Sequence, residues 1–325
     1  MKQYIIRRVL ISLVVLLGVS MMLYVLVRSM PSDYVSLSTS ANQQMTDEMR
    51  DHLREIYGLD KPLIVGYWDW LTSALRGDLG DSLIYKRPVA EVIAQYAPVT
   101  FTVAAIALVL QLVFAIPLGI LAARKQYTKT DYIITTLVFI GISLPTFFFA
   151  AILKRTFGYY GLNLLPISGM LDARATYDSF TWAKFLDYAR HLIMPITVFV
   201  FTGMGSMLRY TRTNMLEVLN ADYIRTARAK GVPERRVIYS HAFRNTLIPI
   251  VTLLGSSLPT LFSGAAITEG LFAIEGLGNI GLKAASMADV PYLMGFNMLL
   301  AVTTVVGFLL SDILYAVVDP RVRLS

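Results

Sequence analysis

Six apolar runs constrain this chain more than any other feature. They fall at about residues 9–27, 99–122, 132–153, 192–208, 247–268 and 292–318. Each is near the roughly 20 residues that an α-helix needs to cross about 30 Å of hydrocarbon. In lipid a lone segment must satisfy its own backbone hydrogen bonds, so each run is expected to be a helix. Charge agrees. Asp, Glu, Lys and Arg make up 16% of the 325 residues, against about 25% in soluble domains. The sequence therefore predicts an all-α membrane protein with six transmembrane helices.

Lys2, Arg7 and Arg8 stand before the first run, as in the n-region of a signal peptide. The run is too long for a typical h-region, and the nearest small residues, Ser38 to Ala41, lie too far on. An uncleaved anchor is expected. Lys and Arg collect on the cytoplasmic side of membrane proteins. With the N-terminus inside, the inner segments hold 16 of the 29 Lys and Arg but 6 of the 22 Asp and Glu. The inner balance is +10 and the outer −3. Both termini are thus expected in the cytoplasm. The expected division is an anchor at 1–28, an outer helical segment at 29–97, a body of five spans at 98–319 with an inner loop at 209–246, and a tail at 320–325.

Prolines and glycines recur inside the runs: Pro117, Gly119, Gly141, Pro145, Pro195, Gly203, Gly205, Pro249, Gly255, Pro259 and Gly264. They suit a bundle that bends to open a path, and equally close helix packing through small residues. Charged residues are nearly absent from the run centres. Proton-coupled carriers usually place Asp, Glu or His there, so a secondary proton transporter is disfavoured.

In the outer segment, Thr46 is placed to cap a helix over DEMRDHLREIY, with Gly58 at its C′ position. After Pro62 a second helix is expected, stopped by Gly77. Leu63, Tyr67, Trp70, Leu71 and Ala74 fall on one face. It would form a helical lid on the outer mouth or lie among headgroups as an aromatic belt. A literal G-x-G-x-x-G occurs at 276–281. A dinucleotide site needs a strand before it and a βαβ unit around it. Neither is expected, and a glycine-rich re-entrant turn is.

Enzyme motifs are missing. There is no G-x-x-x-x-G-K-[ST] phosphate loop, no H-E-x-x-H and no G-x-S-x-G. Zero cysteines exclude disulfides, thiolate metal sites and a Cys nucleophile. His52, His191 and His241 are expected on opposite sides of the membrane, so they form no common metal site. Neither a catalytic residue nor a metal or cofactor site is expected in this chain.

One inner stretch stands out, ADYIRTARAKGVPERRVIYSHAFRNTLIP at 221–249. Arg225, Arg228, Lys230, Arg235, Arg236 and Arg244 crowd into it. Residues 217–229 are expected to be helical, rich in Ala and Arg. Gly231 suits a left-handed C′ position, and Pro233 with Glu234 the first turn of a second helix. Ala227 and Gly231 lack bulk, which would let a partner surface approach. Three explanations compete. The loop only fixes topology; it is a helix-turn-helix that binds DNA; or it docks a cytoplasmic protein that drives the bundle. A loop tied so closely to the bilayer cannot easily lay a helix in a groove, so no nucleic-acid partner is expected.

Here the chain resembles a known family. Ala227 to Gly231 followed by Pro249 is similar to the cytoplasmic coupling motif of binding-protein-dependent ABC importers. The form DYIRTARAKG…RRVI…HAFRNTLIP resembles their dipeptide, oligopeptide and nickel permeases. So do YIIRR (4–8), YGLDKPL (57–63), RGDLGDS (76–82), SLPTF (143–147), LRYTRTNMLEVL (208–219), EGLFAIEGLGNI (269–280) and DPRVR (319–323). The resemblance covers essentially the whole chain. In two places it departs: the motif's general form begins Glu-Ala-Ala where Arg225, Thr226 and Ala227 stand here, and the separation from Gly231 to Pro249 is longer than in that form.

The resemblance implies a type I permease fold in the bacterial cytoplasmic (inner) membrane, as a multi-pass, non-catalytic subunit. It implies import of di- or oligopeptides, with nickel or another small solute as the alternative cargo. Partners would be a second homologous permease, two ATP-binding subunits carrying ATP and Mg, an extracytoplasmic solute-binding protein and the lipid bilayer. ATPase docking would fall on Asp222, Tyr223, Arg225, Thr226, Ala227, Lys230, Gly231 and Pro233. The competing class is a secondary transporter or channel that works without an ATPase.

Overall fold

Apolar sequence becomes long helix wherever proline does not interrupt it. A computed structural model describes residues 2–39, 46–56, 58–177, 181–246, 250, 254, 257–263 and 266–318. Only backbone is described for 2–5, 258 and 312–318. The elements run α1 (Lys2–Arg28), α2 (Tyr34–Thr39), α3 (Asp47–Ile56), α4 (Leu63–Ala74), α5 (Val89–Arg124), α6 (Lys129–Ser143) and α7 (Thr146–Phe157). After these come α8 (Trp182–Leu219), α9 (Asp222–Ala229), α10 (Glu234–Arg236), a π-helical turn (Val237–Ala242), α11 (Leu258–Ser263), α12 (Ala266–Leu271), α13 (Leu277–Ser286) and α14 (Val290–Val318). Among the described residues every regular element is helical, and the only β pairing is an isolated bridge between Asp81 and Pro88.

Among the described residues four helices are long and apolar enough to cross a membrane: Ile6–Arg28, Val89–Arg124, Trp182–Leu219 and Val290–Ser311. The run at 132–153 is broken instead. Helices α6 and α7 bend by 103° at Leu144 and Pro145, and make a fifth span if counted together. The cause is local. Pro145 lacks an N–H and pushes the residue before it out of the α region; Leu144 accordingly has ψ 126°. Ten of the 22 residues in the run at 247–268 lie outside the described residues, Pro249, Gly255 and Gly264 among them.

The chain forms two compact units. One comprises residues 1–100, 262–266 and 275–306, and the other 101–261, 267–274 and 307–325. In the first unit α1 presents Ile6, Leu10, Val14 and Met22 outward, as lipid contact requires. Helix α4 packs on α1. A β-carbon at Gly66 would overlap the Tyr24 hydroxyl, and Ser20 and Tyr67 share a hydrogen bond of 3.0 Å. The inward face of α4 is Gly66, Tyr67, Trp70 and Leu71; Leu63, expected there, is exposed. The caps fall where expected. Thr46 accepts from the Met49 N–H at 3.4 Å, and Gly58 and Gly77 both have positive φ. The first ten residues of α5 extend ahead of the expected span. Val89 and Val92 there join Leu277, Ile280, Tyr292 and Phe296 in one core.

The glycine motif at 276–281 is not a re-entrant turn. It opens α13, whose Leu277 N–H donates to Thr100 Oγ1 at 2.7 Å, and Leu277, Gly278, Ile280 and Gly281 are buried. In the second unit the span glycines serve packing. A β-carbon at Gly119 would come within 2.8 Å of Thr211, one at Gly141 within 2.8 Å of the Phe201 carbonyl, and one at Gly205 within 2.5 Å of Ile142. At these three positions the close-packing explanation holds.

Candidate coupling hinge

The basic stretch folds as helix, turn, helix in the second unit. Residues 217–229 are not one helix, however. Helix α8 ends at Leu219, Asn220 caps it with its side chain on the Leu216 carbonyl at 2.9 Å, and α9 starts afresh at Asp222. A short polar side chain offers the backbone an alternative partner, and so favours the break. Asp222 is the first residue of α9, where a negative charge meets the positive end of the helix dipole. It lies 3.4 Å from Arg225, with both side chains exposed.

The turn at Gly231 closes by two reciprocal bonds. The Val232 N–H bonds to the Ala227 carbonyl at 3.2 Å and the Gly231 N–H to the Arg228 carbonyl at 2.9 Å. This is the Schellman closure, with glycine at its left-handed position; φ at Gly231 is +73°. Nothing lies within 4 Å of where its β-carbon would stand, so the backbone and not crowding selects glycine here. Pro233 is the N-cap of α10 and not part of its first turn. The Arg236 and Val237 N–H groups both bond to its carbonyl, at 2.8 and 3.1 Å.

The underside is apolar. Ile224, Val237, Ile238 and Ala242 are buried against Met215 of α8 and Ile120 and Ala123 of α5, with Ala227 and Val232 at the edge. Of the eight residues expected to dock a partner, seven are exposed: Asp222, Tyr223, Arg225, Thr226, Lys230, Gly231 and Pro233. Ala227 is half-buried and packs inward. It sets how closely α9 approaches the underside.

Several braces were not anticipated from the sequence. Arg228 grips Glu234 across the turn with two bonds, Nη2 to Oε1 at 2.9 Å and Nε to Oε2 at 3.2 Å. These bonds hold the Glu234 carboxyl below its usual range and raise the guanidinium in turn. Both groups are exposed, so the pair stabilises little. Asn245 donates to the Tyr223 hydroxyl at 3.1 Å and to the His241 carbonyl at 2.9 Å. The π turn Val237–Ala242 is of a kind frequent at functional sites. Above the hinge, Arg212 of α8 makes a bidentate pair with buried Asp131 of α6, both bonds 2.8 Å. Asp131 also accepts from the Tyr127 N–H at 3.0 Å. Arg228 and Glu234 are six apart across a helix break, and Asp131 and Arg212 are 81 apart; neither spacing is a helical repeat.

His52 lies 3.8 Å from Glu55, buried His191 pairs with Asp187 at 3.1 Å, and His241 is exposed. Among the described residues no group of three or more His, Cys, Asp or Glu could hold a metal ion.

Comparison with known proteins adds a second line. Residues 115–324 match the family described as binding-protein-dependent transport system inner membrane component. Residues 1–104 match the N-terminal family of such membrane components. The chain is 39% identical over 324 residues to the oligopeptide transport system permease protein AppB of Bacillus subtilis, covering 99% of this chain and 100% of that one. It is 33% identical over 338 residues to the dipeptide transport system permease protein DppB of Escherichia coli, covering 99% of each. It is 32% identical over 335 residues to the di/tripeptide transport system permease protein DppB of Pseudomonas aeruginosa, again covering 99% of each.

Proposed function

The chain belongs to the family of binding-protein-dependent transport system inner membrane components, and from that premise we propose how its hinge and its spans act. It is a multi-pass inner-membrane permease subunit of an ABC importer and is not itself catalytic. The cargo we infer is di- or oligopeptide, after the relatives named for such peptides. Six spans, with both termini cytoplasmic, would place the hinge inside the cell. A second homologous permease would complete the pore. Two ATPase subunits, holding ATP and Mg, would sit beneath it, and a solute-binding protein would deliver cargo from outside. The proposed division remains an anchor at 1–28, an outer segment at 29–97, five spans with the hinge at 98–319, and a tail at 320–325.

The observation that carries the docking reading is the build of the hinge. Seven exposed residues stand on a buried apolar base, with the left-handed Gly231 turn at the tip. In this reading the tip seats in an ATPase groove. Closure of the ATPase pair on ATP then moves the hinge as a body, and α8 with it. The test is Gly231→Asn. Asn tolerates the left-handed backbone, so it keeps the turn and adds bulk only at the tip. Membrane insertion should be unchanged, while ATPase co-purification and ATP-driven uptake of a labelled dipeptide should be lost. Normal co-purification and uptake would refute docking at this turn.

A further inference from the structure

Lys154 stands at the last turn of α7. Its ammonium donates to the Leu271 carbonyl at the end of α12 and lies 5.5 Å over the Phe272 ring. It is partly buried, and among the described residues no carboxylate pairs with it or with the neighbouring Arg155. Elsewhere in the same unit the half-buried guanidinium has its acid: Arg212 has Asp131. Removing a cation from water without a counter-charge is costly, and one helix-end carbonyl uses a single one of its three donors.

The unpaired ammonium faces a cavity of about 680 Å³ lined by Ala151, Lys154, Arg155, Tyr160, Ile167 and Leu271. That size lies within the roughly 300–1,000 Å³ of small-molecule sites. One end is cationic and the walls are apolar. The walls are fastened. Leu164 and Leu165 N–H groups both bond to the Phe157 carbonyl, at 2.9 and 3.0 Å, and the Gly169 N–H bonds to the Phe272 carbonyl at 2.8 Å. A β-carbon at Gly158 would overlap Ile167 and the Lys154 carbonyl, so glycine allows the loop to fold back over the helix end.

The geometry points to a binding site for the C-terminal carboxylate of a peptide, with an apolar terminal side chain against Ile167, Tyr160 and Leu271 and the carboxylate on Lys154 and Arg155. This rests on the peptide cargo proposed above. It deepens that proposal by naming the group recognised.

The experiment uses the assembled transporter in lipid nanodiscs and two probes, alanyl-photoleucine as the free acid and as its carboxamide. After illumination, cross-linked residues are identified by peptide mass spectrometry. The free acid should label the 160–167 loop or Leu271. The carboxamide should label them roughly ten- to hundredfold less, as expected for loss of charged hydrogen bonds. Lys154→Met keeps the stem and removes the charge, and should reduce free-acid labelling to the carboxamide level. The two-probe comparison on the unaltered chain needs no substitution, so it holds even if that variant misfolds. Equal labelling by both probes, or labelling confined to other residues, overturns the site. Separate uptake measurements with labelled dipeptide keep the two ideas apart. Uptake with equal labelling sinks only this inference, and selective labelling without uptake sinks only the transport reading.

Discussion

The hinge at 221–246 and the cavity beside Lys154 both place cations at helix ends, yet they treat charge in opposite ways. In the hinge, Arg225 and Arg228 have carboxylates 3.4 and 2.9 Å away, and all four side chains stand in water. Stability comes instead from the apolar underside at Ile224, Val237 and Ile238. At the cavity, Lys154 is partly buried with one carbonyl and one ring for company. A surface that packs through an apolar underside can leave its charges solvated. A site built to take a charged small molecule must hold back a counter-charge for the ligand to supply.

Breaking the base of the hinge should have the largest effect. Ile224 is fully buried. Truncation to Ala costs about 2–5 kcal/mol for a buried Ile, and the loss falls on a short segment that opens locally. Ile224→Ala should therefore speed trypsin cleavage at Arg225, Arg228 or Lys230 at least about tenfold. Photolabelling of the cavity should not change. Unaltered cleavage would mean that the underside does not hold the hinge, and altered labelling would mean that the two regions are not independent.

The same contrast explains what the sequence could disclose. The hinge is written over about thirty consecutive residues in capping chemistry. Glycine suits a left-handed C′ residue and proline a helix start, so Gly231 pointed to its place and Pro233 to within a residue of its own; Asp222, expected inside one helix over 217–229, instead opens a new one. The break at Asn220 was hidden because Leu216, Glu217 and Leu219 before it and the Ala and Arg residues after it favour helix. The cavity joins Lys154 to Leu271 across 117 positions, and no local pattern encodes that pairing. The bend at Leu144 and Pro145 was legible as a proline, but a proline inside an apolar run does not by itself distinguish a kink from a 103° break. Likewise Leu63 fitted a helical face and proved exposed, because the partner face on α1 selects Gly66.

A smaller change tests the cavity wall. Gly158 has φ −85°, a value open to any residue, so Ala there would be excluded by space alone. The added methyl must displace both Ile167 and the Lys154 carbonyl, at a cost typical of overpacking, about 1–3 kcal/mol. Gly158→Ala should lower free-acid photolabelling several-fold while the trypsin cleavage rate of the hinge stays constant. Full labelling would show that the loop is not held at this point.

The smallest effect concerns the Arg228–Glu234 pair, and its sign follows from the carboxyl. Pairing lowers the Glu234 value below the ordinary 4.5. A carboxyl lowered on folding stabilises the fold above its unfolded value, and that stabilisation is lost as pH falls through the folded value. For an exposed pair the gain is about 0–1 kcal/mol. The chain has no cysteine, so Ala229→Cys, at an exposed position beside the turn, gives a single site for a nitroxide. Its mobility should stay constant from pH 7 to 5 and rise below about 4.5, where the bonds to Arg228 fail. Glu234→Gln isolates the pair: mobility should then be slightly higher at pH 7 and lack most of the step. If the variant keeps the full step, the Gly231 closure and the apolar base alone hold the turn, and the hinge owes nothing to its charges.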